Sequence, residues 1–214
     1  APEGLDKDIA ALGEPTACAM YSGMNCGAQL GDTVVVMGGG YAGQIIAQCA
    51  KLKGAYQVIV VDVLEGKLNL AKQLGADIVI NPKEEDVVAK VKALTGGVGA
   101  DVVCEVAGSA ESFNNATAMI RHNGKFVFYS WVTTPITLNI SRWHDDGLQF
   151  INTCLVHHTW QQRYVWFPEV MRPIQQGLVK IKPLINAEFP LSDLKKGFDF
   201  VDKDDAAIKV VFRP

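Results

Sequence analysis

The chain predicts an α/β fold, a doubly wound parallel sheet of six strands, and three observations carry that prediction. Apolar, β-branched runs alternate with helix-periodic stretches from Val34 to about Val156. The first run, Val34–Met37, leads straight into the glycine turn Gly38-Gly39-Gly40-Tyr41-Ala42-Gly43. The second run ends on an acid, Asp62, about twenty residues past the last glycine.

In order, residues 5–29 precede the first strand. Pro15 suits the first turn of a helix, and Thr16 to Gln29 is rich in Ala, Cys, Met and Gly without a strand pattern. This predicts a helix packed beneath the glycine turn. Gly31-Asp32 turns the chain into the first strand. After Asp62, Leu64, Leu68, Ala71 and Leu74 fall at helical spacing and Gly75 stops the helix. Asp77–Ile80 reads as a short strand ended by Asn81-Pro82. Glu84, Glu85 and Asp86 open a helix with Lys90 and Lys92 at its far end, the sense the helix dipole prefers. Asp101–Val106 is the fourth strand and Ser109–Arg121 a helix ended by His122-Asn123-Gly124. Lys125–Tyr129 and Leu148–Val156 are the fifth and sixth strands. In Thr159–Gln176, Pro168 and Pro173 predict a broken helix or two short ones. Ile185–Phe189 and Ala207–Phe212 read as strands, with a helix over Leu191–Val201 between them.

The bulk properties narrow the function. With 214 residues, 49% of them hydrophobic, the chain can build a full core. A net charge of −3 gives no electrostatic reason to expect nucleic acid or an anionic membrane as partner. No apolar run approaches the roughly 18 residues of a membrane span, and no N-terminal signal pattern is present. Five scattered cysteines without a C-x-x-C read as reduced, mostly buried thiols, which suggests a cytoplasmic setting.

Each glycine of the turn has its own task. Gly38 permits the tight exit from the strand, Gly40 lets the backbone approach a pyrophosphate, and Gly43 brings the helix close to the sheet. The helix N-terminus, with Tyr41 and Ala42 in its first turn, presents free N–H groups and partial positive charge to the anion. Asp62 can accept hydrogen bonds from both adenosine ribose hydroxyls and would repel a 2′-phosphate. Val63, Leu64, Glu65 and Gly66 follow it, with no arginine to offset that repulsion. NAD is therefore favoured over NADP. The alternative for the same residues is a structural turn with Asp62 as an ordinary strand-end acid.

Several stretches match a known family: LGEPTACAMYSG (Leu12–Gly23), VVVMGGGYAG, VIVVDVLEGKLNLAKQLGAD (Val58–Asp77), DVVCEVAGS (Asp101–Ser109) and the ending PLSDLKKGFDFV…AIKVVFRP. On these the whole chain resembles the cofactor-binding half of zinc-dependent medium-chain alcohol and polyol dehydrogenases, a Rossmann domain. The family's catalytic lobe, with its Cys ligand and Gly-His-Glu motif, would precede Ala1. The resemblance implies three regions. Residues 1–30 are a linker and helix joining to that lobe, residues 31–156 the NAD-binding domain, and residues 157–214 a helical segment and strands returning toward an incomplete catalytic domain.

The resemblance also implies roles. Lys67 adds hydrogen bonds to the adenosine ribose, and Lys209 lies near the pyrophosphate. Cys18 sits beside the nicotinamide, and Val106 and Ser130 offer backbone contacts to the nicotinamide end. Glu14 matches the one zinc ligand supplied by this half, with the zinc held in the complete enzyme rather than by this chain alone. The implied substrate is a small secondary alcohol or polyol, and the implied assembly a homodimer or homotetramer. Other readings of Glu14, Lys67, Lys209 and Cys18 stay open: a helix N-terminal acid, two solvated lysines, a small buried filler.

Two clusters are set aside. His144-Asp145-Asp146 reads as a solvated loop before Gly147. The neighbours His157-His158 point apart and make a poor metal clamp. A short-chain dehydrogenase is excluded because none of the five tyrosines is followed four positions on by lysine. A non-catalytic NAD-sensing or scaffold domain remains the alternative. Gln149–Val156, as an apolar outer strand, is the expected dimer edge. Trp131, Trp143 and Trp160 suggest an aromatic wall, though core packing would place them equally well.

Overall fold

The computed structural model describes residues 4–154, 160–204 and 207–214, and for residues 160–165 and 167 it describes the backbone alone. Helices α1 (Lys7–Ala11) and α2 (Gly13–Asn25) lead into a regular alternation. It runs β1 (Thr33–Met37), α3 (Tyr41–Leu52), β2 (Gln57–Val61), α4 (Glu65–Gln73), β3 (Ile78–Ile80) and α5 (Val87–Leu94). It continues through β4 (Ala100–Glu105), α6 (Ala110–Met119), β5 (Ile120–Phe128) and β6 (Gln149–Asn152). Then follow α7 (Trp160–Gln175), β7 (Ile185–Pro190), α8 (Leu194–Lys203) and β8 (Lys209–Arg213).

The six strands form one parallel sheet in the order β3-β2-β1-β4-β5-β6. The order reverses between β1 and β4, and a crevice opens there at the carboxyl ends. Both faces of the sheet are covered, so the central strands are apolar on both sides. Val34, Val36, Val58, Val60, Val102 and Cys104 pack into one core, and Val35, Met37, Ile59, Val61 and Val103 into the other. That division is the two-residue alternation of a strand. Helix α2, expected beneath the glycine turn, lies along α3: Ala17 and Met20 pack with Ile45 and Cys49, and Val170, Met171 and Ile174 of α7 close the cluster. Among the described residues no helix is long and apolar enough to cross a membrane.

The structure corrects four expectations. The chain from Thr159 was expected to break at its prolines, but α7 is one helix with Pro168 and Pro173 inside it. A proline costs a helix interior about 3 kcal/mol. For the two prolines that is about 6 kcal/mol, and burying Val170, Met171 and Ile174 at about 1.5–3 kcal/mol each returns a comparable amount. Helix α6 ends at Met119 rather than Arg121, because the chain turns extended at Ile120 to pair with Ala100. Residues 121–124 then bulge out before Lys125 pairs with Val102, and Asn123 takes a left-handed φ of 56°. Asp146 is not solvated: it is buried, 2.5 Å from Arg142 and 3.3 Å from His122, and its carbonyl receives the Asn123 amide. Of the three tryptophans, Trp131 is exposed and borders a cavity, Trp143 packs instead on Phe150 at 4.4 Å with the rings tilted by 44°, and the Trp160 side chain lies outside the described residues. His157-His158 and the end of the expected sixth strand also lie outside them.

Candidate dinucleotide crevice

The turn between β1 and α3 is built by steric exclusion. Gly38 takes φ +105°, donates its amide to Val61 O (2.7 Å), and sits so close to the β4 end that a Cβ would meet the Ala107 amide at 3.1 Å. A Cβ on Gly43 would meet Gly38 O at 1.8 Å, so α3 can start this near the strand only with glycine there. Around Gly40, by contrast, a Cβ would meet nothing within 4 Å. The space is open where a ligand would approach the backbone.

The helix start facing that space is uncapped. Gly40 is the N-cap residue of α3, no side chain bonds it, and the first amide to find an acceptor is Gln44 N–H, on Gly40 O at 2.9 Å. The amides of Tyr41, Ala42 and Gly43 thus stand ready for an anion. The starts of α5 and α6 differ, since Asp86 and Ser109 cap them.

Asp62 sits just past the end of β2, half-buried. Its carboxylate accepts Gly39 N–H (2.7 Å) and Leu64 N–H (3.0 Å), which ties it to the glycine turn and fixes its rotamer. A carboxylate has about four acceptor positions, so capacity remains for a sugar. Lys67 is on α4, its Cβ 3.4 Å from where a Gly39 Cβ would lie. A cleft of about 140 Å³ runs along this wall, lined by Gly38, Asp62, Ala107, Ser109 and Ser112.

A second cavity, of about 620 Å³, is lined by Glu14, Cys18, Tyr129, Ser130, Trp131 and Cys154 among others. Cys18 Sγ donates to Glu14 Oε1 at 3.2 Å, one helical turn apart on α2. Both residues therefore face the same space. Burial raises the Tyr129 phenol above its ordinary range. Lys209 Nζ lies 5.0 Å from the centre of the Tyr41 ring, over the start of α3. The Tyr41 hydroxyl and Thr16 Oγ1 are 2.6 Å apart, a contact that joins α2 to α3.

Of the residues singled out in the sequence, Gly38 and Asp62 line the smaller cleft, Glu14, Cys18 and Ser130 line the larger cavity, and Tyr41 and Lys209 meet over the start of α3; the far end carries a refinement. Val106 spends its amide on Met37 O (2.9 Å) and Ser130 on Glu105 O (3.2 Å). What they keep for a ligand is oxygen. Two residues escaped the sequence reading. Gln44 donates to Gly39 O and Lys67 O (2.8 and 2.9 Å), bracing the turn against α4. Glu105 is fully buried beneath the crevice, and an acid closing the apolar run Asp101–Val106 was the available signal.

Known proteins share this chain's sequence pattern and fold. The family model described as zinc-binding dehydrogenase matches residues 42–167. An L-threonine 3-dehydrogenase of Bacillus licheniformis is 32% identical over 213 residues, covering all of this chain and 60% of its own length. The 2R,3R-butanediol dehydrogenase structure from Bacillus subtilis superposes with a TM-score of 0.86 at 26% identity, over 100% of this chain and 59% of that one. A Sinorhizobium meliloti structure bound to NADP gives 0.82 at 26% identity, over 100% and 61%. The chain spans about 60% of the length of such relatives. On the match of its own sequence to the family model, supported by the shared fold, the chain belongs to the zinc-binding dehydrogenase family.

Proposed function

We propose that the chain is the NAD-binding portion of an oxidoreductase that transfers hydride between a secondary alcohol or polyol and NAD. The observation that carries this reading is the uncapped start of α3 beside a carboxylate locked in place at the tip of β2. Gly38, Gly40, Tyr41, Ala42 and Gly43 would hold the pyrophosphate and Lys209 would add charge to it. Asp62 and Lys67 would hold the ribose, and Cys18, Val106 and Ser130 would border the nicotinamide. NAD, when bound, supplies the hydride acceptor. The protein's part is placement, electrostatics and exclusion of water.

A carboxylate at position 62 favours NAD over NADP, although one structural neighbour carries NADP. Zinc fits less completely. Among the described residues no three His, Cys, Asp or Glu side chains converge to hold a metal, so Glu14 would supply one donor to a site completed elsewhere. Residues 1–30 would lead from the lobe that completes it, and residues 157–214 would return toward it. The open edge of β6 is the proposed dimer contact, and the five free thiols suit a cytoplasmic setting.

Fluorescence titration with NADH and NADPH tests the assignment. The native chain should bind NADH more tightly than NADPH. Asp62→Ala should weaken NADH about tenfold or more, the loss of charge-assisted hydrogen bonds, and narrow the difference between the two. Unchanged NADH affinity refutes the reading, and zinc-dependent alcohol turnover by the purified chain refutes the division of labour.

A further inference from the structure

Glu105 is 0% exposed, yet its acceptor capacity is filled by residues of both cavities. Oε1 accepts Ala107 N–H (3.0 Å), Gly108 N–H (2.8 Å) and the Ser112 hydroxyl (2.7 Å), and Oε2 accepts the Ser130 hydroxyl. The Glu105 carbonyl takes the amides of Tyr129 and Ser130 (3.1 and 3.2 Å). A carboxylate accepts and does not donate, so the direction of each side-chain bond is fixed.

Two consequences follow for ligands. The amides of Ala107 and Gly108, which could otherwise bind an anion before α6, are already spent on an internal carboxylate. The glycine turn before α3 keeps its amides free. Ser130, meanwhile, gives both of its hydrogens to Glu105: the amide to the carbonyl, the hydroxyl to the carboxylate. It therefore meets the larger cavity with lone pairs alone.

We propose that Glu105 is a positioning residue that fixes Ser130 as an acceptor-only part of the cavity wall, so that the ligand group seated against the Ser130 hydroxyl must be a donor. This rests on the dinucleotide reading above, in which the matching group is the carboxamide N–H₂ of the nicotinamide ring. Glu105 touches no ligand itself and acts through Ser130.

Calorimetric titration of the 214-residue chain with NAD, its 3-acetylpyridine analogue and ADP-ribose tests this. In the analogue a methyl ketone replaces the carboxamide, which removes the donor. The native chain should prefer NAD over the analogue about threefold to tenfold, the worth of one net hydrogen bond. Glu105→Gln keeps the oxygen that serves Ala107, Gly108 and Ser112, but its new N–H₂ must donate to Ser130, turning the serine hydrogen outward. The preference should vanish or invert. Ser130→Ala should also erase it, and provides the test if Glu105→Gln does not fold. ADP-ribose, which lacks the ring, should bind all three proteins alike. A preference unchanged in Ser130→Ala overturns the proposal and leaves the dinucleotide assignment standing. So does a parallel loss of NAD and ADP-ribose affinity in both variants, which marks a purely structural role. If the native chain binds neither NAD nor ADP-ribose, the assignment itself fails and the proposal goes with it.

Discussion

At the scale of single residues, the glycines of the turn separate fold from function. Gly43 has a backbone carbonyl where a Cβ would go, so Gly43→Ala must push α3 off the sheet. Both stability and NADH affinity should fall. Gly40 faces open space with an ordinary φ of −69°, so Gly40→Ala costs only the weaker N-cap, about 1 kcal/mol. For a chain of this size that lowers Tm by about 2–4 °C. The added methyl group would nonetheless occupy the path of the pyrophosphate, and NADH affinity should fall by more than tenfold. Thermal melts and NADH titrations of the two variants read the difference. Equal affinities for Gly40→Ala and the native chain would place the phosphates elsewhere. The need for glycine was legible from the spacing of the motif. So was the task of each, and the structure adds what lies opposite it: a backbone carbonyl at Gly43 and open space at Gly40.

Among elements, the contact of α2 with α3 sets the geometry of the larger cavity, since α2 carries Glu14, Thr16 and Cys18. The two helices approach so closely that a Cβ on Gly23 would meet Cys49 Cβ at 2.5 Å and Ile46 Cα at 3.2 Å. Gly23→Ala should therefore cost about 1–3 kcal/mol as overpacking, seen as a Tm loss of several degrees. Cys49→Ala should fail to rescue it, because the nearest obstruction, the Cβ at 2.5 Å, stays when the sulfur at 3.0 Å is removed. Rescue by that double variant would show that the helices slide rather than clash. Helix α7 teaches a related lesson. Pro168 and Pro173 argue locally for a break, yet the apolar face of the segment packs on α2 and holds the helix together. Propensity is a weak guide wherever burial speaks against it. The bulge at residues 121–124 has the same origin, in strand pairing with β4.

Across the whole molecule, the beginning of the chain is tied to its end by charge. Asp8 is buried and accepts from Arg213 (2.7 Å) and Lys182 (3.1 Å), while Asp6 accepts from Lys182 (2.8 Å). The hydrogen bond from Arg213, then that from Lys182, holds the Asp8 carboxyl below the usual aspartate range, and Lys182 does the same to Asp6. A depressed carboxylate pKa adds stability above the unfolded value of about 3.9, and that stability is lost as pH falls through the folded value. Asp8→Asn should therefore melt lower than the native chain at pH 7, and the gap should close as the pH drops below about 4. A gap that persists undiminished at pH 3 would show that Asp8 acts by packing and not by charge.

What the sequence settles by itself is everything local or periodic. The alternation of strands and helices repeats locally along the chain, and the glycine turn and the acid at the second strand tip lie within about thirty residues; together they suffice for the fold class and for locating the proposed dinucleotide crevice. The tertiary structure decided what depends on distant partners. Glu105 meets Ser130 across 25 positions, and Asp8 meets Arg213 across 205. An acidic side chain reads the same in a sequence whether it is solvated or enclosed. Only the chain folded back on itself supplies the donors that make burying it tolerable.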